Sequence, residues 1–425
     1  MIESVRTMLA LFLGLAWLLW TVMTLWRQHR TGPFAMSDTL VAYASQTGTA
    51  QSMATEFAQR HNLQPPLALG KLSPNALAEA KELHCFVSTY GDGEPPDNGR
   101  KFAKSLNNLN TGLSELSFHV TALGDRRYPD FCAFGHLLYE RLQSHGATPL
   151  GAITCVDASE ANQTDNTQYR NAELVSRQYL NPHSDAPGLY ALMFAAPDCC
   201  WQAGDWLDVR VPDPANPSAY LSPRTYSVAS AGDSKTLRLI VRHLIKSDGQ
   251  SGLASHFLTH TLTEGEYISV RVRQNPAMTL TNCNAPLLLI GAGSGLAGLL
   301  GVIETLAQRA VRRPIWLIYG ERDPHDDRPY ADKLDAWLNT GVIAQMNLVF
   351  SRQRPMATTA LRYCQDVLLD KPAAVSDFLG GSGHILVCGS LQGMGSSVDQ
   401  ALRDILGDAC LEAMAQHGRY HRDLY

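Results

Sequence analysis

The chain has 425 residues, 45% hydrophobic and 18% charged, which allows two or three domains and argues against long disorder. A formal charge of -5 lacks the basic surplus that phosphate-backbone binding needs, so no nucleic-acid partner is expected. Nine cysteines lie scattered without a CxxC pair or zinc-type spacing; they read as reduced thiols, and no metal site is expected.

Residues 1–30 read as a membrane anchor. From Met8 to Trp26 the chain runs MLALFLGLAWLLWTVMTLW without a charge, about the ~20 residues that span a bilayer as a helix. Arg27 and Arg30 follow it, so the positive-inside rule places the remainder in the cytoplasm. A cleaved signal peptide fits less well, because the apolar stretch is long and no A-x-A site follows. The expectation is a single-pass inner-membrane protein with cytoplasmic catalytic domains.

Residues 37–158 alternate strand and helix patterns: a strand at Thr39–Ala44, a helix from Ala50 to Arg60, and apolar runs at His84–Ser88 and Phe118–Leu123. That alternation argues for a doubly wound parallel sheet. Residues 159–178 open on a polar stretch and read as a linker. Residues 179–282 change to short segments at Tyr190–Phe194, Trp206–Val211, Leu237–His243 and Tyr267–Val272, a pattern of antiparallel β-barrels. Strand–helix alternation returns over residues 283–425, with strands at Leu287–Gly291, Ile315–Gly320, Asn347–Ser351 and Ile385–Gly389. The expected class is α/β plus β: transmembrane helix, doubly wound sheet, antiparallel barrel, second α/β domain.

Several loops carry candidate chemistry. Ser45, Gln46, Thr47, Gly48, Thr49 and Ala50 stand between a strand and a helix. Their hydroxyls, a permissive glycine and a helix N-terminus suit a phosphate dianion, although the string alone reads equally as a capped helix start. After the next apolar strand come Ser88, Thr89, Tyr90, Gly91, Asp92 and Gly93. After the third come Gly124, Asp125, Tyr128, Phe131 and Cys132. In a doubly wound sheet these loops share the ligand-binding edge, and Tyr90 and Tyr128 can sandwich a planar ring.

Farther on, Arg224, Thr225, Tyr226 and Ser227 offer a fork for pyrophosphate, a stacking ring and hydroxyls. Gly252, Leu253, Ala254 and Ser255 open a helical stretch. Gly291, Gly293, Ser294 and Gly295 leave an apolar strand for a helix, where glycines let the backbone approach a pyrophosphate.

Taken in order, SQTGTA, STYGDGEPPDN, LGDRRYPDFCAFG, RTYS, GQSGLAS, GAGSGLA, ILVCG and RYHRDLY resemble the diflavin reductases, which join a flavodoxin-type FMN domain to a ferredoxin–NADP reductase module. The resemblance implies FMN, FAD and NADPH as cofactors. It implies FMN phosphate at Ser45–Ala50 with Tyr90 and Tyr128 flanking the ring. It puts FAD on Arg224–Ser227 and Gly252–Ser255, and nicotinamide pyrophosphate on Gly291–Ala297. Ser351, Arg352, Tyr363 and Gln365 fall where the family grips the 2′-phosphate. Ser227, Cys388 and Asp423 match the trio around the transferred hydride, and Tyr425 the aromatic over the FAD ring.

Three departures accompany the likeness. Leu361 stands where the family often has a lysine, Gly298 replaces a proline, and the short Pro212–Pro223 stretch leaves no room for the helical connecting domain. The implied reaction passes electrons from NADPH through FAD and FMN to a one-electron acceptor such as a haem protein. A sulfite reductase flavoprotein component is the enzymatic rival. A degenerate docking module is the other, and it would require broken cofactor loops.

Overall fold

The computed structural model describes residues 38–45, 48–89, 93–107, 112–124, 126, 130–157, 169–221, 223–232, 236–246, 248–275, 283–309, 312–352 and 361–425. Chain contacts divide it into two compact units.

The first unit holds a parallel sheet of β1 (Thr39–Ala44), β2 (Leu67–Ala68), β3 (Glu82–Ser88), β4 (Ser117–Gly124) and β5 (Thr148–Pro149), in the order β2-β1-β3-β4-β5. A further strand, β6 (Thr154–Asp157), also pairs with β4. Leu83, Val87, Phe118 and Val120 are fully buried, as strands covered on both faces require. The helix Thr49–Arg60 lays Ala50, Ala54 and Ala58, spaced four apart, into the interior. Strand order reverses between β1 and β3, and the carboxyl ends there form the crevice where such sheets take ligands.

In the second unit β7 (Arg170–Tyr179) occupies the latter part of the stretch expected as linker. With β8 (Leu189–Ala195), β9 (Trp206–Arg210), the small hairpin β10 (Pro212–Asp213) and β11 (Asn216–Tyr220), β12 (Arg224–Ser227), β13 (Leu237–Arg242) and β14 (Tyr267–Arg273), it forms an antiparallel lobe. The main sheet runs β12-β9-β14-β7-β8-β13, around a core of Leu174, Leu192, Phe194, Leu207, Val209 and Leu239. Asp208 is buried in β9 and accepts hydrogen bonds from Arg271 and Arg273 at 2.9 and 2.8 Å, which removes the cost of an unpaired interior charge.

The same unit continues into a parallel sheet of β15 (Leu287–Ala292), β16 (Ile315–Glu321), β17 (Gln345–Phe350), β18 (His384–Gly389) and β19 (Tyr420–Leu424), ordered β17-β16-β15-β18-β19. Leu287–Ile290 are wholly buried because apolar clusters cover both faces. The order reverses between β15 and β18. The register of β18 on β19 sets Cys388 directly beside Asp423.

The expected membrane helix requires correction. Among the described residues no helix is long and apolar enough to cross a membrane, and residues 8–26, which carried the expectation, lie outside them. The longest described helices have 12 residues, about 18 Å of rise against the ~30 Å of a bilayer's hydrocarbon core. Over the described residues the fold class is therefore α/β plus β with no spanning helix, and the expected single-pass inner-membrane placement finds no support there.

Candidate functional site

In the first unit, Gly48 takes a left-handed φ of 83° and starts the helix Thr49–Arg60 without a side-chain cap. Nothing lies within 4 Å of where a Cβ at Gly48 would stand. Ser45 directly follows β1, while Thr49 and Ala50 supply the first turn of the helix. A positive helix end with open space in front fits a phosphate.

The neighbouring loops are rooted beside it. Ser88 Oγ donates to the Ala44 carbonyl at 3.3 Å, and Thr89 N donates to the Leu123 carbonyl at 2.9 Å. Thr89 Oγ1 accepts from Phe134 N at 3.2 Å. Cys132 takes φ 58°, is fully buried, and points its thiol at the Ala122 carbonyl at 3.4 Å, so it fixes the return of its loop. Gly124 ends β4, Gly93 takes φ 88°, and the Arg126 guanidinium lies 4.9 Å over Phe131. Gln46, Thr47, Tyr90, Gly91, Asp92, Asp125 and Tyr128 lie outside the described residues.

In the second unit a tight corner forms where β15 turns into the helix Leu296–Ala307. A Cβ at Gly295 would stand 2.1 Å from the Cys388 carbonyl oxygen, so only glycine lets the turn sit on the end of β18; a Cβ at Gly291 would stand 3.1 Å from that oxygen and 2.7 Å from Leu299 Cδ1. Behind the turn, Ser227 Oγ donates to Asp423 Oδ2 at 2.5 Å and Trp206 Nε1 donates to Asp423 Oδ1 at 3.1 Å. Burial raises the Asp423 pKa, and the two hydrogen bonds pull it back down. Burial, then the nearby Asp423, pushes the Cys388 thiol far above its ordinary value, so it stays a neutral S–H. Gly298 closes the corner: its added Cβ would lie 3.1 Å from Cys388 Sγ and 3.7 Å from Asp423 Oδ2.

Tyr425 borders the same corner. Its hydroxyl pairs with Ser294 Oγ at 2.7 Å and its backbone N donates to the Gly389 carbonyl at 3.0 Å, yet the residue is 58% exposed. The ring is anchored at both ends and open on its side.

A cleft of about 1120 Å³ runs past this corner. Arg224–Ser227 and Gly252–Ser255 line it from the antiparallel lobe, and Gly293, Ser294, Ser351, Tyr363, Gln365 and Tyr425 from the parallel one. The residues expected for two ligands thus share one space, while Gly291, Gly295 and Cys388 form its backing. Some hydroxyls are already committed. Thr225 Oγ1 donates to Asp208 Oδ1 at 2.7 Å. Ser255 Oγ donates to the Gly252 carbonyl and accepts from Leu244 N, both at 3.0 Å, and so pins its loop to the strand end. Tyr226 is half-buried, with its hydroxyl pKa raised by burial.

Sequence reasoning missed Arg242, Glu321 and Arg322. Arg242 donates to Glu321 Oε1 at 2.6 Å under the Gly293 turn, with the Tyr319 hydroxyl 2.9 Å from the Gly293 carbonyl. Arg322 lines the cleft next to Ser351, and Arg352 N donates to its carbonyl at 2.7 Å. Burial, then the charges of Arg352 and Arg242, lowers the Arg322 pKa. Guanidinium groups held close enough to perturb one another fit a site for a multiply charged anion. Arg362 lines the cleft as well, whereas Leu361 packs into the core. The signal available for Arg322 was its place directly after β16, at the ligand edge of the sheet.

Residues 41–171 match the flavodoxin family, and residues 289–400 match the oxidoreductase NAD-binding domain. The sulfite reductase [NADPH] flavoprotein alpha-component of Thiocapsa roseopersicina is 24% identical over 453 residues, covering 88% of this chain and 85% of that one. The chain thus combines a flavodoxin domain with an oxidoreductase NAD-binding domain, consistent with the diflavin reductases it resembles. The same-named component of Vibrio cholerae serotype O1 is 30% identical over 221 residues, 48% of this chain and 35% of its own. That of Salmonella typhimurium is 27% identical, over 48% and 36%. The chain thus aligns with only about a third of the length of these two relatives. A flavodoxin domain implies FMN, and an oxidoreductase NAD-binding domain implies FAD with NADPH.

Proposed function

We propose that this chain is an NADPH-dependent oxidoreductase that delivers electrons singly to a haem-protein acceptor. Residues 37–158 form the FMN domain. The FAD domain reaches to residue 282 and starts at β7 rather than at 179, and residues 283–425 take NADPH. When bound, these cofactors supply hydride transfer from nicotinamide to FAD and single-electron transfer onward through FMN.

The chain's own residues orient and insulate. Gly48 and the helix start behind it hold the FMN phosphate, with Tyr90 and Tyr128 beside the ring. Arg224 meets the FAD pyrophosphate along with the loop Gly252–Ser255, and Tyr226 stacks on the flavin. The Gly291–Gly295 turn holds the nicotinamide pyrophosphate; Ser351, Arg352, Tyr363 and Gln365, with Arg322 added, hold the 2′-phosphate. Asp423, held as an acceptor by Ser227 and Trp206, would offer negative charge to a nicotinamide ring bound at this corner. The neutral Cys388 thiol fills the space beside it without adding a second charge. Tyr425 would cover the flavin ring and yield its place to nicotinamide.

The observation that carries this reading is the Ser227–Asp423–Cys388 corner abutting a cleft that both sets of cofactor loops line. The relatives' printed name favours a second reading, in which the acceptor is a sulfite reductase haemoprotein. Purified protein should reduce cytochrome c with NADPH; reduction of the sulfite reductase haemoprotein alone would select the second reading. Failure to reduce either would overturn both.

A further inference from the structure

Three histidines converge on the antiparallel lobe, where His243 lines the edge of the cleft. His243 follows β13, and His256 and His260 lie four residues apart on the helical segment Leu253–Thr261. Each offers a ring nitrogen within 4.8 Å of the other two. Ring centroids stand 4.4 Å apart for His243 and His260, 4.9 Å for His256 and His260, and 5.4 Å for His243 and His256. A His-x3-His pair on a helical turn, completed by a third imidazole from an adjacent strand, is a zinc-type donor set.

The hydrogen bonds around the cluster prepare one ligand nitrogen. Thr259 Oγ1 donates its single proton to the Ser255 carbonyl at 2.6 Å. Toward His260 Nδ1, 2.7 Å away, it can therefore only accept. His260 thus carries its proton on Nδ1, which leaves the Nε2 lone pair bare. His243 Nε2 pairs with Ser251 Oγ at 3.0 Å, which holds that ring in place. Outer partners that fix ring and tautomer in this way accompany metal-binding imidazoles.

We propose that His243, His256 and His260 bind one zinc-class divalent transition-metal ion, with the remaining coordination position open to solvent. Nitrogen donors select zinc, copper or nickel over calcium or magnesium. His256 and His260 are exposed, so the ion has a direct path of entry. Bound there, it would clip the end of β13 to the segment that starts at Gly252.

The test uses the full chain, stripped with chelator and dialysed against zinc, with bound metal counted per chain. Wild type should hold one equivalent more than the His256→Ala/His260→Ala double variant. Zinc should raise the thermal midpoint of wild type and leave that of the double variant unchanged. Thr259→Val, which removes only the outer hydroxyl, should bind zinc about tenfold more weakly. Equal zinc content and equal midpoint shifts in wild type and double variant would overturn the proposal. Should the double variant lose its cooperative melt, His243→Asn supplies the same comparison with the same two outcomes.

Discussion

Ser227 Oγ donates to Asp423 Oδ2 across 2.5 Å, tying β12 to a strand 196 residues later in the chain. Trp206 Nε1 holds the other carboxylate oxygen. An indole N–H can only donate, so this bond favours the ionised carboxylate and opposes the burial that raises the Asp423 pKa. Trp206→Phe keeps the ring and removes the donor. The Asp423 pKa should then move farther up, and the acid limb of the kcat/KM profile with NADPH should shift to higher pH. An unshifted limb with a uniformly lower rate would mean that Trp206 acts only by packing.

Gly298 separates stability from catalysis. Alanine in a helix interior is normally favoured by about 1 kcal/mol over glycine. Here its Cβ would stand 3.1 Å from Cys388 Sγ. Gly298→Ala should therefore slow flavin reduction by NADPH, on the order of tenfold for a displacement at the reacting centre, while the thermal midpoint holds or rises. A faster or unchanged rate would show that the corner has slack.

Much of this architecture is legible in the sequence, because its strands are apolar runs buried on both faces. β1 forms over Thr39–Ala44 as the pattern indicates, and β16 exceeds its expected span only by Glu321. β7 is not legible: a register shift between Leu174 and Ser176 breaks its alternation, and most of its residues are polar. β19 reads YHRDL and hides a buried Arg422 that no hydropathy pattern marks. Among site residues, the glycine turns and Ser227 announce themselves by local motif. Trp206 looks like any apolar strand residue, since its partner Asp423 lies 217 positions away.

Arg322 bears on cofactor choice. It lines the cleft beside Ser351, with Arg352 close enough to lower its pKa. Arg322→Ala should raise KM for NADPH about tenfold or more, the loss of one charge-assisted hydrogen bond, with kcat and the KM for NADH little changed. Equal effects on both nucleotides would remove Arg322 from 2′-phosphate recognition.

Tyr425 tests the covering ring. Tyr425→Ala deletes the ring and its bond to Ser294 Oγ. Nicotinamide then no longer competes with an aromatic for the flavin face, so discrimination against NADH should relax, measured as the ratio of kcat/KM values. An unchanged ratio would assign the ring no part in selection.

The central claim is a two-flavin relay fed by NADPH, and the flavin content of purified protein tests it most directly. Extraction should release one FMN and one FAD per chain, both reduced by NADPH under anaerobic conditions. A single flavin, or two that NADPH leaves oxidised, would contradict it.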